Sequence, residues 1–319
     1  MKDMLTTDKE IQVRTPQHYI AAATSENTRK TYQSAVRRMQ HWGLKLPCSE
    51  ENILHYLTEN AQTLNPRSLS LHLAALRQWH ISQGFKDPTE GLLIKKTMKG
   101  IQRKHGTPKQ KARALRLEHI ATLLHTLQKK PYSKKKTRDI ALILIAFFGA
   151  FRRSELVSIK HEEIHWHDDG ITIMLPRSKT DQEGEGIQRA IPYSGSPACA
   201  ASALKQWLEV SGIISGPIFR SINRWDQLGE KPLNPGSINQ ILKALGIESG
   251  FDFIPTLSSH SFRRGLSTSA AREKIDFELI KKQGGWKNDA TVWEYIEEGQ
   301  QFTDNASITL MKKIDTLLK

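Results

Sequence analysis

The run His260-Ser261-Phe262-Arg263-Arg264-Gly265, continued by Gly284-Gly285-Trp286-Lys287-Asn288 and Thr291-Val292-Trp293-Glu294-Tyr295-Ile296, is the stretch whose reading decides the fold. It sets a histidine and an arginine three residues apart, then a tryptophan, and nine positions later a tyrosine. Upstream lie Gly149-Ala150-Phe151-Arg152-Arg153-Ser154-Glu155-Leu156 and Arg177-Ser178-Lys179-Thr180-Asp181. Two arginines, a lysine, a histidine and a late tyrosine are the groups needed to cut a phosphodiester through a covalent phosphotyrosine. Phosphoryl transfer requires a positioned nucleophile, charge stabilisation on the non-bridging oxygens and a proton for the leaving oxygen. Arg152 and Arg263 are fixed cations whose planar donor forks suit bidentate contact with phosphate.

The bulk properties agree with a polyanionic partner. The 319 residues carry 47 Lys and Arg against 33 Asp and Glu, a net charge of +14, with a pI near 9.7. Residues 1–112 hold 18 Lys and Arg against 9 Asp and Glu, so the amino-terminal third is the stronger electrostatic clamp. A hydrophobic content of 38% and a mean hydropathy of −0.49 exclude disordered and fibrous classes. Cys48 and Cys199 stand in unrelated contexts and form no metal or disulfide framework. The longest apolar stretch, residues 140–151, falls short of the roughly 20 residues of a membrane helix. No secretory leader is legible, so the expectation is a soluble cytoplasmic protein associated with the nucleoid.

Length allows two domains. Residues 1–24 show no pattern and read as a flexible lead. A first helix is capped by Ser25 and places Tyr32, Ala35, Val36, Met39 and Trp42 on one stripe, with Arg29, Lys30, Arg37 and Arg38 off it and Gly43 at its end. A second follows Ser49, with Glu50 and Glu51 in its first turn. A third opens at Asn65-Pro66 and closes at Gly84. A fourth opens at Asp87-Pro88-Thr89-Glu90, a capping box with proline at the first helical position, and runs through Lys95, Lys96, Lys99, Arg103 and Lys104. These nine basic residues of the first and fourth helices are the candidate DNA contacts.

Residues 15–105 thus form a small helical domain, and the basic, Gly- and Pro-interrupted residues 106–112 read as a linker or as a solvated loop within one domain. From residue 113 helices resume. Residues 171–175 and 187–191 form a hairpin whose polar tip, residues 178–186, carries Lys179. Helical patterns dominate from Cys199 to the end, and residues 303–319 form an amphipathic tail with Ile308, Leu310, Met311, Ile314, Leu317 and Leu318. No internal repeat or low-complexity tract is visible. The fold class is mainly α with a small β-sheet.

In this order and these contexts, the six residues Arg152, Lys179, His260, Arg263, Trp286 and Tyr295 resemble the tyrosine recombinase (phage integrase) family, over most of the chain from Ser25 onward. The resemblance implies a two-domain DNA-breaking-rejoining architecture: a core-binding domain and a catalytic domain over residues 113–319, forming a C-shaped clamp on duplex DNA. It implies Tyr295 as the nucleophile that forms a 3′-phosphotyrosine, Lys179 as the acid for the 5′-oxygen, and His260 as proton-handling partner and phosphate contact. Trp286 takes the last phosphate-binding position, where many relatives have histidine and the Cre-like branch has tryptophan. Glu155, three residues after Arg152, orients active-site groups. The reaction it implies is site-specific recombination (integration, excision or resolution) through a Holliday junction. A homo-tetramer would act on two DNA sites carrying inverted repeats, with the tail docked on a neighbouring subunit or packed on its own domain. No metal or other cofactor is called for, since the covalent link conserves the phosphodiester energy.

The second box departs from the usual His-x-Leu-Arg-His: Phe262 replaces leucine in the core, and Arg264 replaces the last histidine and is read as outside the essential set. His161-Glu162-Glu163-Ile164-His165 fits the zinc-protease pattern, which works only on a helix. Here it stands at the end of a helix and leads into a strand. Two readings stand beside recombination. A type IB-like topoisomerase would use the same chemistry on one duplex. A non-catalytic DNA-binding protein of this fold would have lost catalytic positions, and none is lost.

Overall fold

A computed structural model describes residues 23–108, 110–176, 186–302 and 306–318. The expected flexible lead (apart from its last two residues) and the hairpin tip with Lys179 (apart from Gly186) lie outside these residues. The chain divides into two compact units, Met1–Lys109 and Gln110–Lys319.

The first unit has four helices: α1 (Glu26–Trp42), α2 (Glu50–Asn60), α3 (Pro66–Ser82) and α4 (Leu92–His105). Ser25 caps α1 by accepting from the Thr28 amide, and Gly43 ends it in the left-handed region. Ser49 and Asn52 form a reciprocal capping box on α2, and Asn65 caps α3 ahead of Pro66. Met39, Ile53, Tyr56, Leu57, Leu69, Leu76, Ile94 and Met98 fill the core. Two buried histidines are satisfied within it. The Tyr56 hydroxyl bonds His72 Nδ1 at 2.7 Å, while His80 Nε2 accepts from the Cys48 amide at 3.0 Å. Burial also pushes the Cys48 thiol up to about 11, so it stays protonated and inert.

The start of α4 departs from expectation. Residues 87–90 are a turn in which Asp87 Oδ1 accepts from the Thr89 amide at 2.8 Å and its hydroxyl at 2.7 Å. Arg77 on α3 draws the Asp87 and Glu90 carboxylates toward itself, at 3.3 and 3.9 Å. An aspartate can close an Asx turn as readily as cap a helix; the α3 cation favours the turn, and the helix starts five residues later than Asp87.

The second unit begins irregularly, then is tied in: the Arg113 amide donates to the Thr256 carbonyl and the Leu115 amide to that of Ser261. Helices α5 (Leu117–Gln128), α6 (Lys134–Phe148) and α7 (Arg153–Ser158) lead to a sheet of β1 (Ile164–His167), β2 (Gly170–Leu175) and β3 (Ile187–Pro192). The sheet is antiparallel in the order β1-β2-β3, with Ile171 opposite Ile191. Then come α8 (Ala200–Ser211), β4 (Arg220–Ile222), β5 (Leu228–Pro232), α9 (Pro235–Glu248), α10 (His260–Arg272), α11 (Phe277–Gly284), α12 (Asp289–Gln300) and α13 (Ala306–Leu317).

The second part of α6, from Ile140, is apolar all round because it is central, with residues 141–147 buried and the helix packed against α5, α8 and α10. The β4–β5 ribbon is an addition to the helical patterns expected to dominate this region. Its half-exposed strands show no clean alternation, and a local turn joins them, Asn223 Oδ1 accepting from the Trp225 and Gln227 amides. The zinc-protease pattern is resolved against a metal role. His161 lies in a single 3-10 turn and His165 on edge strand β1, so the two do not share a helical face.

Candidate active site

Arg152 stands where α6 gives way to α7. Ala150 takes a positive φ of 46°, which turns the chain so that Arg152 becomes the residue before α7. Glu155, 5% exposed, then accepts from the Arg152 amide at 2.8 Å and from its Nη1 at 2.6 Å. A buried carboxylate thus holds both the backbone and the fork of Arg152.

Arg263, on α10, is 3% exposed. Its Nη1 donates to the Ala150 carbonyl, two residues before Arg152, and its Nη2 to the Gly284 carbonyl at 3.0 Å. Burial is the main force lowering its pKa to about 10; the Arg152 charge adds to it and Glu155 opposes. The group remains a cation at neutral pH.

A third arginine, which the sequence reading did not select, completes the cluster. Arg189 on β3 is 4% exposed and donates through Nη2 to the same Gly284 carbonyl at 3.3 Å and through Nη1 to the Gln188 carbonyl at 3.1 Å. Its Nε is buried without a partner among the described residues. Burial lowers its pKa, with Glu155 opposing and Arg152 adding. One signal pointed to it: on a strand whose Ile191 faces inward, position 189 shares that face, and a cation there demands an explanation.

The Gly284-Gly285 pair ends α11 and delivers Trp286. A side chain on Gly284 would run into the Trp286 ring, which folds back over it. Gly285 sits at φ 60°, and a Cβ there would lie 1.8 Å from Arg189 Nη2. Trp286 is buried, with Arg263 Cζ 4.8 Å from its ring centre and the Tyr295 ring at 5.4 Å, tilted by 56°. Tyr295 is half-buried on α12. Burial pushes its phenol above the usual range, while the charges of Arg263 and Arg264 pull the other way.

The tertiary structure therefore brings Arg152, Glu155, Arg263, Trp286 and Tyr295 together and adds Arg189. His260 is exposed at the start of α10, one turn before Arg263. Lys179 lies outside the described residues. In the first unit, Arg29, Lys30, Arg37, Arg38, Lys95, Lys96, Lys99, Arg103 and Lys104 are all exposed, on α1 and α4. Lys30 also pairs with Glu26 at 2.6 Å. Chemically, three guanidinium groups beside one carboxylate make a site with an excess of buried positive charge, suited to an anion and adjoining a tyrosine. Among the described residues, no group of His, Cys, Asp or Glu could hold a metal ion.

The chain is similar to several known proteins. Residues 113–301 match the phage integrase family model. The integrase/recombinase xerD homolog of Selenomonas ruminantium is 35% identical over 291 residues, covering 88% of this chain and 84% of that protein. Tyrosine recombinase XerA of Pyrococcus furiosus is 22% identical over 85% of this chain and 83% of its own. Among solved structures, XerH recombinase bound to its palindromic difH substrate superposes with a TM-score of 0.62 at 16% identity, over 88% of this chain and 78% of that one. A lambda integrase dimer on a core site gives 0.61 at 16% identity, over 91% and 95%.

Proposed function

This chain belongs to the phage integrase family of tyrosine-type site-specific DNA recombinases, and we propose that it cuts and rejoins duplex DNA through a phosphotyrosine formed on Tyr295. The observation that carries this reading is the buried excess of positive charge from Arg152, Arg189 and Arg263 beside the Tyr295 ring. Arg152 and Arg263 receive the non-bridging oxygens of the scissile phosphate. Tyr295 Oη attacks phosphorus, a new O–P bond forms, and the bond from phosphorus to the 5′-oxygen breaks. The phenolic proton passes toward His260, and Lys179 protonates the departing 5′-oxygen. Attack by a 5′-hydroxyl from the second duplex reverses each step, so exchange proceeds through a Holliday junction without ATP. Glu155 keeps the Arg152 fork oriented through the cycle.

The exposed basic residues of α1 and α4 supply phosphate contacts, which give affinity without reading sequence. The working assembly is a tetramer on two sites, each with inverted repeats around a spacer. Helix α13 supports this: Leu310, Met311, Ile314 and Leu317 are all more than half exposed. An apolar groove of about 890 Å³, lined by Ile171, Ile191, Leu266, Ala270, Ile275 and Leu279, offers such a helix a seat on a neighbouring copy. Among the described residues no helix is long and apolar enough to cross a membrane, and the reading is of a cytoplasmic, nucleoid-associated enzyme.

The direct test is Tyr295→Phe. It keeps site-specific binding in gel shift and forms no covalent adduct on a nicked suicide duplex carrying the target site; undiminished adduct rejects Tyr295 as the nucleophile. Short inverted repeats in the DNA flanking the gene supply the candidate site.

A further inference from the structure

One buried cation has no part in the phosphate cluster. Arg264 follows Arg263 on α10, and the helical step of about 100° turns it away from Gly284 and toward α12. There its Nη2 donates to Glu298 Oε2, and its Nη1 lies 4.0 Å from Glu294 Oε1. Its Cζ stands 5.5 Å from the centre of the Tyr295 ring, and the residue is 8% exposed. Glu294 precedes Tyr295 directly and Glu298 follows it by three residues. One guanidinium therefore grips α12 on both sides of the tyrosine.

The remaining holds on α12 lie elsewhere. At its downstream end, a Cβ on Gly299 would come 2.7 Å from the Thr268 carbonyl of α10, so the two backbones are in close approach there. Gln300 Nε2 donates to the Ala271 carbonyl at 3.3 Å. Lys111 pairs with the same Glu294 oxygen, Oε1, that Arg264 Nη1 faces. At the level of the ring itself, Arg264 ties α10 to α12 through Glu294 and Glu298. With Arg263 over Trp286 and Trp286 against Tyr295, two arginines adjacent in sequence close on the aromatic pair from either end.

A guanidinium taken out of water is retained only where its charge and donors are matched. Here the charge is matched through Nη1 and Nη2, while Nε is buried without a partner among the described residues. The match is made to the one helix whose placement decides in-line attack, and a displacement of about 1 Å in a reacting group is enough to lose about 100-fold in rate. We propose that Arg264 is a positioning residue for the nucleophile, locking α12 to α10 so that the Tyr295 hydroxyl is presented at a fixed depth beside Arg263. The inference rests on the reading of Tyr295 as the nucleophile. It also turns a departure of this chain from the common His-x-Leu-Arg-His box into a working part.

The test compares full-length wild type, Arg264→Met, Arg264→Lys and Tyr295→Phe on one nicked suicide duplex. That duplex is recovered beforehand by covalent capture from a random-sequence pool with the wild-type protein. Arg264→Met is expected to bind it within about twofold of wild type but to form the adduct more slowly in single turnover, by about 30- to 100-fold. Arg264→Lys, which restores a cation between the two glutamates, regains most of that rate. An undiminished rate in Arg264→Met overturns the inference. So does a loss in which rate, affinity and thermal transition fall together and lysine rescues none of them, the mark of a merely structural residue. Should Arg264→Met not fold, Glu298→Gln removes the facing charge at nearly constant shape; slower adduct at unchanged affinity supports the inference and an unchanged rate overturns it. If the wild type captures no duplex, the nucleophile reading fails and takes this inference with it. If it captures one, Tyr295→Phe does not and Arg264→Met equals wild type, this inference alone fails.

Discussion

Arg189 and Arg263, 74 residues apart, donate to the same acceptor, the Gly284 carbonyl, at 3.3 and 3.0 Å. That carbonyl ends α11 immediately before the left-handed turn at Gly285 that delivers Trp286. A strand and a helix are thereby joined at the one peptide whose orientation sets the tryptophan and, through it, the face of Tyr295. The convergence has a cost, since two buried cations face each other with Arg152 close by. Glu155 offsets part of it, and a bound phosphate would offset more.

Arg189→Met is therefore expected to fold, because Arg263 still satisfies Gly284, with a stability loss of about 1–3 kcal/mol in chemical denaturation. Single-turnover adduct formation drops by at least tenfold while binding persists. Gly285→Ala behaves alike, since φ near 60° costs an L-residue about 1–2 kcal/mol and its Cβ displaces Arg189. Wild-type cleavage by both variants would show that this shared acceptor does not govern the site.

The exposed pair Arg37 and Arg38 on α1 is expected to touch backbone phosphates. Replacing both with alanine weakens binding across sequences alike and lowers the slope of log affinity against log salt by about 2, at roughly 0.9 per phosphate. An unchanged slope and affinity would place the pair away from DNA.

Lys179→Ala should slow cleavage of an ordinary phosphodiester strongly. A duplex with sulfur in place of the bridging 5′-oxygen has a leaving group that needs no proton, so most of the lost rate returns. Equal impairment on both duplexes would make Lys179 a phosphate or positioning contact instead of the acid.

Deleting residues 306–319 removes α13, whose apolar side chains are largely exposed. The shortened protein should fold and bind a single site in gel shift, yet fail in a two-site recombination assay, with cleavage altered because tyrosine delivery is uncoupled from assembly. Normal recombination would dismiss the assembly role. A collapsed thermal transition would instead show that the tail stabilises its own domain.

Local chemistry made much of this protein legible before any coordinates. Ser25, Ser49 and Asn65 announce helix starts because a side-chain oxygen and an amide two or three residues on suffice to form a cap. The order of Arg152, Arg263, Trp286 and Tyr295 is a property of the chain alone, and so is the family it identifies. What the sequence could not decide depended on partners far along the chain. Asp87 could cap a helix or close a turn, and Arg77 on another helix settled it. Arg189 is an ordinary strand residue until β3 comes against the Gly284–Gly285 turn, 95 residues away. Arg264 reads in the sequence as a replacement for the last histidine of the box, outside the essential set; helical periodicity says which way it turns, but not that α12 waits there with a glutamate on each side of the tyrosine. Capping and periodicity are written within a few residues; the sharing of an acceptor or the pairing of a buried charge exists only after distant elements have packed.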